Sequence, residues 1–392
     1  MDQTPAFSTL TTLRVGGVPE HVVQPETTEE LVRVAREVWS SGDNWLLLGG
    51  GSNTVASDEG FAGTVIRIAT RGIERIHADG AVRLRVQAGE SWDGLVAHTV
   101  REGWSGIEAL SGIPGLVGAA PVQNIGAYGQ ELSSTLVAVD FLDFATGDVR
   151  RMPAAELELG YRTSVFKQGL AGIVLTVELD LAENDDVTGA ALSRPVAYAQ
   201  LADELGVTIG TRVPAVELRR AVLRLRASKG MILDAADPDS VSAGSFFTNP
   251  IVSENFARSL PADAPRWPTT PAEPDVVTAL AAAGAAGEQT GAGVAGAPAG
   301  SAGGGLAGGL AHGPYAVKLS AAWLIENAGI HRGFALPGSS AAISSKHTLA
   351  LTNRGGATAA EIVQLAGYVQ SRVQSEFGVI LQPEPVLVGL TL

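Results

Sequence analysis

Two glycine-rich stretches limit what this chain can become. Residues 111–131 read SGIPGLVGAAPVQNIGAYGQE, with glycines at 112, 115, 118, 126 and 129 and prolines at 114 and 121. Such a run cannot be regular helix or strand throughout, because glycine raises the entropy cost of ordering and proline removes a donor. It reads as an extended backbone surface lying along a long, flat ligand. Earlier in the chain, Gly49-Gly50-Gly51-Ser52-Asn53 follows directly on the apolar segment WLLL at 45–48. A pyrophosphate needs several N–H donors converging at short range, and only glycine lets a backbone come so near. Ser52 and Asn53 add side-chain donors. GGGSN is not GxGxxG opening a helix, so the fingerprint of the doubly wound dinucleotide fold is absent. Either stretch alone also fits a tight loop of small residues. Together they suit a dinucleotide with a planar ring system better than a mononucleotide. The cofactor-side candidates are Gly49, Gly50, Gly51, Ser52 and Asn53 from the first stretch. The second supplies Ser111, Gly112, Gly115, Gly118, Ala119, Gln123, Asn124, Gly126 and Ala127.

The 392 residues leave room for two or three domains. A formal net charge of −14 speaks against a broad basic face for nucleic acid, so an anionic substrate would need a local cluster of cations. The chain has no cysteine, which removes disulfides, thiolate nucleophiles, iron–sulfur clusters and cysteinyl-flavin links. Histidines 21, 77, 98, 312, 331 and 347 are scattered without an HExxH pair, so no protein-bound metal is expected. No charged-then-apolar segment precedes Thr11 and no apolar run reaches the roughly 18 residues needed to span a bilayer. A cytoplasmic, monomeric protein with no membrane insertion is the expectation. Only four of the 27 basic residues are lysine (167, 229, 318 and 346), so each is either a chance retention or a chemical choice.

Elements mix in an α+β manner. TTEELVRVAREVWSS at 27–41 reads as an amphipathic helix capped by Thr27 or Thr28, with Glu29 and Glu30 at the positive end of its dipole. TVIRI at 64–68 is a strand. RIHADGAVRLRVQAG and LVAVDFLDFATGDVRRM are hairpins, turning at Asp79-Gly80 and near Thr146-Gly147. SWDGLVAHTVREG at 91–103, residues 195–206 and residues 213–230 read as helices, followed by strand-like AGSFFTNPIV. Regular βαβαβ alternation is missing, which argues against a doubly wound sheet. From 271 to 313 the composition falls to Ala, Gly, Pro and Ser, too poor in apolar bulk to fold, and reads as a disordered insertion. Helix VKLSAAWLIENAG, strand HTLALTN, helix TAAEIVQLAGYVQSRVQSEFG and strand VILQPEPVLVG close the chain.

Four further places carry chemistry. Tyr161-Arg162 sets an aromatic beside a guanidinium able to clamp a carboxylate. Ser245 follows Gly244 on a bend, although a lone serine is more often solvated surface. Lys229 ends an arginine-rich helix and could bind phosphate. Glu384 stands between Pro383 and Pro385, which restrict the backbone and could aim the carboxylate inward; the plainer reading is an edge glutamate facing water.

In this order, LRVGG at 13–17, LGGGSN at 48–53, the GIPGLVGAAPVQNIGAYG run, YRTSVFK, AGSFFTNP and the closing PEP resemble the UDP-N-acetylenolpyruvoylglucosamine reductase family. The resemblance covers nearly all the chain apart from 253–313. It implies an FAD-binding domain of the vanillyl-alcohol-oxidase (PCMH) type, taken as residues 1–188. A smaller α+β substrate-binding domain, residues 189–392, would follow. It further implies non-covalent FAD, NADPH as hydride donor, a nucleotide-sugar substrate and a place in peptidoglycan precursor synthesis. Carried over by motif, Ser245 is the expected proton donor, with Arg162 and Glu384 completing the catalytic set. Tyr161, Lys229 and Asn249 match substrate-contacting positions, and Tyr198 resembles the loop tyrosine that closes over the nucleotide sugar. The insertion after AGSFFTNP departs from the family core. SKGMILDAADPDSVSAGSFF is also longer than some members' version, which leaves Lys229 the weakest of these assignments.

The expected reaction reduces a C=C bond conjugated to a carboxylate. Arg162 would hold that carboxylate as charge grows on it, Glu384 could hydrogen-bond the same group, and Ser245 would protonate the adjacent carbon. Two rivals remain at this point. One is an FAD oxidase of the same superfamily acting on an alcohol or sugar lactone; such enzymes often tether flavin through histidine, for which His98 within a helical segment is a poor candidate. The other is a binding protein that keeps the cradle without turnover.

Overall fold

The computed structural model describes residues 4–76, 82–183, 191–269 and 316–392. The Ala/Gly-rich stretch 271–313 and the turn at Asp79-Gly80 lie outside the described residues. The chain divides into two compact units. Met1–Thr248 with Ile325–Leu392 forms the larger, and Asn249–Leu324 the smaller.

The larger unit begins with a three-stranded parallel sheet in which Phe61–Arg67 lies between Pro19–Val23 and Trp45–Leu48. One helix, Thr28–Ser41, makes the crossover between the outer two strands. Thr27 caps it by accepting the Glu30 N–H at 3.2 Å, and Gly42 ends it at φ +78°. Leu31 and Ala35 bury its inner face against Ile66, Ile68 and Leu175. Among the described residues this is the one βαβ step of the unit, in keeping with the missing βαβαβ alternation of the sequence.

A second sheet follows with strands in the order Val149–Pro153, Leu136–Asp143, Gly172–Glu183, Val82–Gln87 and Ile73–Ile76, all antiparallel. Both expected hairpins are present as strand pairs. In the second, Gly147 at φ +72° donates to the Asp143 carbonyl at 2.9 Å and closes the turn. The central strand, Gly172–Glu183, was not anticipated; it is buried along most of its length and pairs on both edges. Helix Trp92–Arg101, capped by Ser91, packs Trp92, Leu95 and Val96 into the same core.

The C-terminal part of this unit contributes a small sheet, Ser242–Ser245, Ala350–Asn353 and Ala341–Ile343. Helix Ala359–Phe377 has a reciprocal capping box between Thr358 and Glu361. The Asp58 carboxylate adds a second cap, accepting the N–H groups of Ala359 and Ala360 at 2.8 and 3.0 Å. Strand Val386–Val388 pairs in parallel with Thr54–Ala56, just beyond GGGSN.

The smaller unit has three antiparallel strands, Ile251–Ser253, Ala316–Leu319 and Arg266–Pro268, with helix Glu254–Ser259 capped by Ser253. Here one expectation needs correction. VKLSAAWLIENAG is not helical throughout: its start belongs to the strand Ala316–Leu319, and only Ala321–Asn327 is helix. Val317 and Leu319 are buried while Ala316 and Lys318 are less so, an alternation a sheet satisfies and a helix does not. The closing strand is likewise shorter than VILQPEPVLVG. Only Val386–Val388 forms a strand; before it the chain makes a single bridge, Pro383 with Phe247, because two prolines cannot donate to a ladder.

Candidate active site

Within the larger unit lies a cleft of about 700 Å³. That is the size of a cofactor or drug-like ligand site, for which about 300–1,000 Å³ is usual. Gly49 to Asn53 line it, as do Gly115, Gly118, Ala119, Gln123 and Gly126, together with Arg162, Ser245 and Glu384. Residues separated by more than three hundred positions therefore line one cleft.

The glycines serve two purposes. At Gly50 a Cβ would lie 3.0 Å from the Gly115 Cα, and at Gly115 (φ +115°) it would lie 2.8 Å from Ser52 Oγ. These residues let the two loops pack backbone on backbone, and Ser52 Oγ ties them by donating to the Pro114 carbonyl at 3.1 Å. Gly49 differs: its nearest would-be neighbour, Leu116 Cδ1, stands 3.7 Å away. Protein packing does not require glycine there, which leaves that face open for a ligand. Gly49→Ala is expected to unfold within about 0.5 kcal/mol of wild type yet bind FAD about tenfold more weakly, about 1.4 kcal/mol. Thermal melts of the apoprotein and a flavin titration check the two halves separately.

Arg162 sits in a tight turn in which Gly160 and Thr163 exchange backbone hydrogen bonds. The turn forces Arg162 to φ +54°, a conformation that costs a non-glycine residue about 1–2 kcal/mol. Its Nη2 donates to the Gly126 carbonyl at 2.8 Å and Nη1 to that of Asn124 at 3.4 Å, while Nε faces Glu384 Oε1 at 3.5 Å. The guanidinium is thus fixed by the second glycine-rich stretch, and each terminal nitrogen retains a further N–H.

Glu384 is clamped from both sides. Its own N–H donates to the Phe246 carbonyl at 2.9 Å, Asn53 Nδ2 donates to its carbonyl at 3.2 Å, and Val386 N–H donates to the Asn53 carbonyl at 2.9 Å. Burial pushes its carboxyl above the ordinary glutamate range, although Arg162, Lys167 and the Gln123 amide pull the other way. Lys167 is depressed, by burial first and then by Arg162, while Glu384 opposes the shift.

Ser245 ends the strand Ser242–Ser245. The register against Ala350–Asn353 slips between Ser242 and Ser245, where Gly244 adopts φ +75°. That bulge re-aims the serine, which lines the cleft. Its Oγ lies 3.4 Å from His347 Nε2.

A second cluster collects two of the expected nucleotide-sugar residues of this unit, Tyr198 and Lys229, around Tyr128. Tyr198 meets Tyr128 edge-on with ring centroids 5.8 Å apart, and Lys229 Nζ lies 5.7 Å from the Tyr128 ring. Lys229 also donates to Gln200 Oε1 at 2.8 Å. Burial and then the Arg226 charge hold the Lys229 ammonium below its usual range. Tyr161 stacks beside Arg162, whose Cζ is 5.6 Å from the ring centroid. Asn249 belongs to the smaller unit, where its Oδ1 accepts the Ala321 N–H at 2.9 Å.

Four cofactor-side candidates do not line the cleft. Ser111 Oγ donates to the Glu108 carbonyl at 2.6 Å, and the Gly112 N–H donates to Asp93 Oδ1 at 2.6 Å. Asn124 is buried, donating to Gly160 O at 3.1 Å and accepting the Ser133 N–H at 3.0 Å. Ala127 pairs with Gln130. The structure also brings in residues that sequence reasoning did not assign. Lys167 and Arg226 line the cleft, Tyr128 anchors the tyrosine–lysine cluster and His347 faces Ser245. Only Lys167 had a signal, the scarcity of lysine.

Two observations fit a flavin dinucleotide here. The open face of Gly49 admits a close ligand, and the buried Arg226 Nε has no hydrogen-bond partner in a side chain that lines the cleft, which suits an anionic group. A family model for an FAD-binding domain matches residues 19–153, and one for the C-terminal domain of UDP-N-acetylenolpyruvoylglucosamine reductase matches residues 237–388. The UDP-N-acetylenolpyruvoylglucosamine reductase of Leifsonia xyli subsp. xyli (strain CTCB07) is 63% identical, covering 100% of both chains. That of Thermobifida fusca (strain YX) is 46% identical, covering 97% of this chain and 96% of its own. Among solved structures, UDP-N-acetylenolpyruvylglucosamine reductase from Thermus caldophilus aligns with a TM-score of 0.58 at 26% identity, covering 98% of this chain and 97% of that one. With an FAD-binding domain, the matching C-terminal domain and full-length relatives at this identity, the chain belongs to the UDP-N-acetylenolpyruvoylglucosamine reductase family.

Proposed function

We propose that this cleft is where the chain carries out its family's reaction, with Arg162, Glu384 and Ser245 as the groups that touch the substrate. The protein is an FAD-dependent oxidoreductase that reduces the enolpyruvyl group of UDP-N-acetylenolpyruvoylglucosamine to give UDP-N-acetylmuramate, with NADPH as electron source. Bound flavin supplies the hydride chemistry. The single observation that carries the site assignment is the meeting of these three side chains with the glycine loops around one cleft.

Arg162 holds the enolpyruvyl carboxylate through its remaining N–H groups and stabilises the charge that grows there during reduction. Glu384, kept toward its neutral form by burial, donates its own proton as a hydrogen bond to the same developing oxyanion. Ser245 gives the hydroxyl proton to the carbon next to the carboxylate. Lys229, Tyr198 and Tyr128 receive the nucleotide-sugar portion, with cation and aromatic faces suited to phosphate and ring. In this reading residues 1–188 hold FAD and residues 189–392 serve the substrate, in a cytoplasmic monomer. Stopped-flow spectroscopy tests the assignment directly: NADPH should bleach the flavin band, and the enolpyruvyl nucleotide sugar should restore it. No recovery with that substrate would overturn the reading.

The pH dependence follows from Glu384. A neutral carboxyl is needed as donor, its pKa is raised, and Arg162, Lys167 and Gln123 are the groups facing it. Reoxidation should therefore fall as pH rises through that raised value. Glu384→Gln keeps an N–H donor and cannot ionise, so its profile should lose the alkaline fall while flavin stays bound. Loss of the yellow colour in that variant would make Glu384 a structural residue.

A covalently flavinylated oxidase is disfavoured by where His98, the histidine weighed as its tether, lies. His98 sits on helix Trp92–Arg101, facing Arg101 at 3.0 Å and the Trp104 ring at 5.7 Å, and does not line the cleft. Acid precipitation should release the flavin into the supernatant.

A further inference from the structure

The loop carrying His347 is held more firmly than a surface connection requires. Ser345 donates both its N–H and its hydroxyl to the buried Asp239 carboxylate, at 2.8 and 2.5 Å, and Arg354 Nη2 binds the same carboxylate at 3.0 Å. Lys346 pairs with Asp237 at 2.8 Å. Ser344 Oγ accepts the backbone N–H groups of Lys346 and His347 at 3.1 and 3.2 Å. The His347 carbonyl accepts the Ala350 N–H at 3.0 Å, and Thr348 is bonded to Glu326. Every residue from 344 to 348 is tied, and the side chain so presented meets Ser245.

We propose that His347 is the positioning residue for Ser245: its Nε2–H donates to the Ser245 Oγ lone pair, directs the hydroxyl proton toward the substrate carbon and holds the alkoxide left behind. This rests on Ser245 being the proton donor. The Nε2–Oγ separation of 3.4 Å is long for N–H···O, as catalytic contacts often are before ligand binds.

The charge state supports the geometry. Burial lowers the His347 pKa to about 4, with Lys229, Arg332 and Arg226 adding to the shift and Glu326 opposing it. At neutral pH the ring therefore carries one N–H. Were Nε2 the bare nitrogen, it would accept the Ser245 hydroxyl proton and turn the serine into a nucleophile, as in a hydrolase dyad. A serine that must give its proton to carbon requires the other tautomer. In the step itself the Oγ–H bond breaks and a C–H bond forms with the electron pair of the enolate-like intermediate. Oγ is left as an alkoxide, which regains a proton from solvent water, and the resulting hydroxide passes to the buffer. His347 ends unchanged.

The test compares two substitutions of similar length. H347Q keeps an N–H donor; H347M fills the space without one. For each, flavin content and reduction by NADPH are measured first. Reoxidation by the enolpyruvyl nucleotide sugar is then expressed relative to that reduction in the same preparation. H347M should slow reoxidation about 10- to 100-fold, the scale of a lost positioning contact, and H347Q should recover most of that loss. In a Ser245→Ala background H347M should add less than about twofold, because its effect runs through the hydroxyl. Equal slowing by H347Q and H347M, or an additive loss in the double variant, would overturn the inference. So would an unaffected H347M beside a slow Ser245→Ala protein, which leaves the serine assignment standing. Fast reoxidation by Ser245→Ala itself brings down the serine assignment, and with it this one.

Discussion

Ser245→Ala should leave NADPH-driven bleaching of the flavin near its wild-type rate while slowing reoxidation by the enolpyruvyl substrate by about 10²–10⁴-fold, the usual contribution of a positioned general acid. The split follows from what the side chain does. Reduction of the flavin needs no proton from Ser245, whereas completing the product requires one at the carbon beside the carboxylate. In the proposed assignment that proton comes from Ser245, whose hydroxyl follows the Gly244 bulge and faces His347 at 3.4 Å. Serine is a weak acid, but the enolate-like intermediate is a strong base, so proximity can suffice. Stopped-flow traces of the two half-reactions decide the matter. Equal slowing of both would show that the substitution damages the cleft rather than removing a proton.

Substitution of Arg162 should separate turnover from stability. Arg162→Ala and Arg162→Gly both remove the guanidinium proposed to receive the substrate carboxylate, and each should lower turnover by about 10²–10³-fold, as loss of an oxyanion donor does. Their stabilities should differ. Alanine retains the steric penalty of φ +54°, whereas glycine does not, so the glycine variant should be about 1 kcal/mol the more stable of the two. Urea unfolding of both proteins measures this difference. Equal midpoints would mean that the turn relaxes once its bonds to the Gly126 and Asn124 carbonyls are gone. In this proposal the wild-type chain holds a strained arginine because the turn aims its fork at the substrate.

Much of this architecture could be read from local pattern. Thr27, Ser91 and Thr358 each mark a helix start that the structure places at the next residue. GGGSN and the 112–129 run line the cleft for the most part, since a glycine needed for close approach leaves a trace in the sequence. Other features leave none. The strand Gly172–Glu183 is buried on both faces, so its first half lacks the alternation that distinguishes a strand from a helix. The left-handed conformation of Arg162 sits in a residue type that rarely adopts it. The contact of Ser245 with His347 joins residues 102 positions apart, and no spacing rule spans such a gap. The side chains of Ser111 and Asn124 sit in a glycine-rich motif and here bond to neighbouring backbone, a use that their residue type alone does not reveal.

The clamp on Glu384 bears on when the enzyme can first act. Asn53 holds the carbonyl of a residue 331 positions later, and the strand Thr54–Ala56 gains its partner only from Val386–Val388. Closing contacts of such sequence separation is slow, because the chain must be ordered over a long loop before they form. A nascent chain arrested before residue 379 already contains both glycine loops, Arg162 and Ser245. It lacks the carboxyl group and the strand that fixes it. The site proposed here is therefore completed only once residues 379–388 are in place, and removing them should silence the protein while sparing most of its buried core.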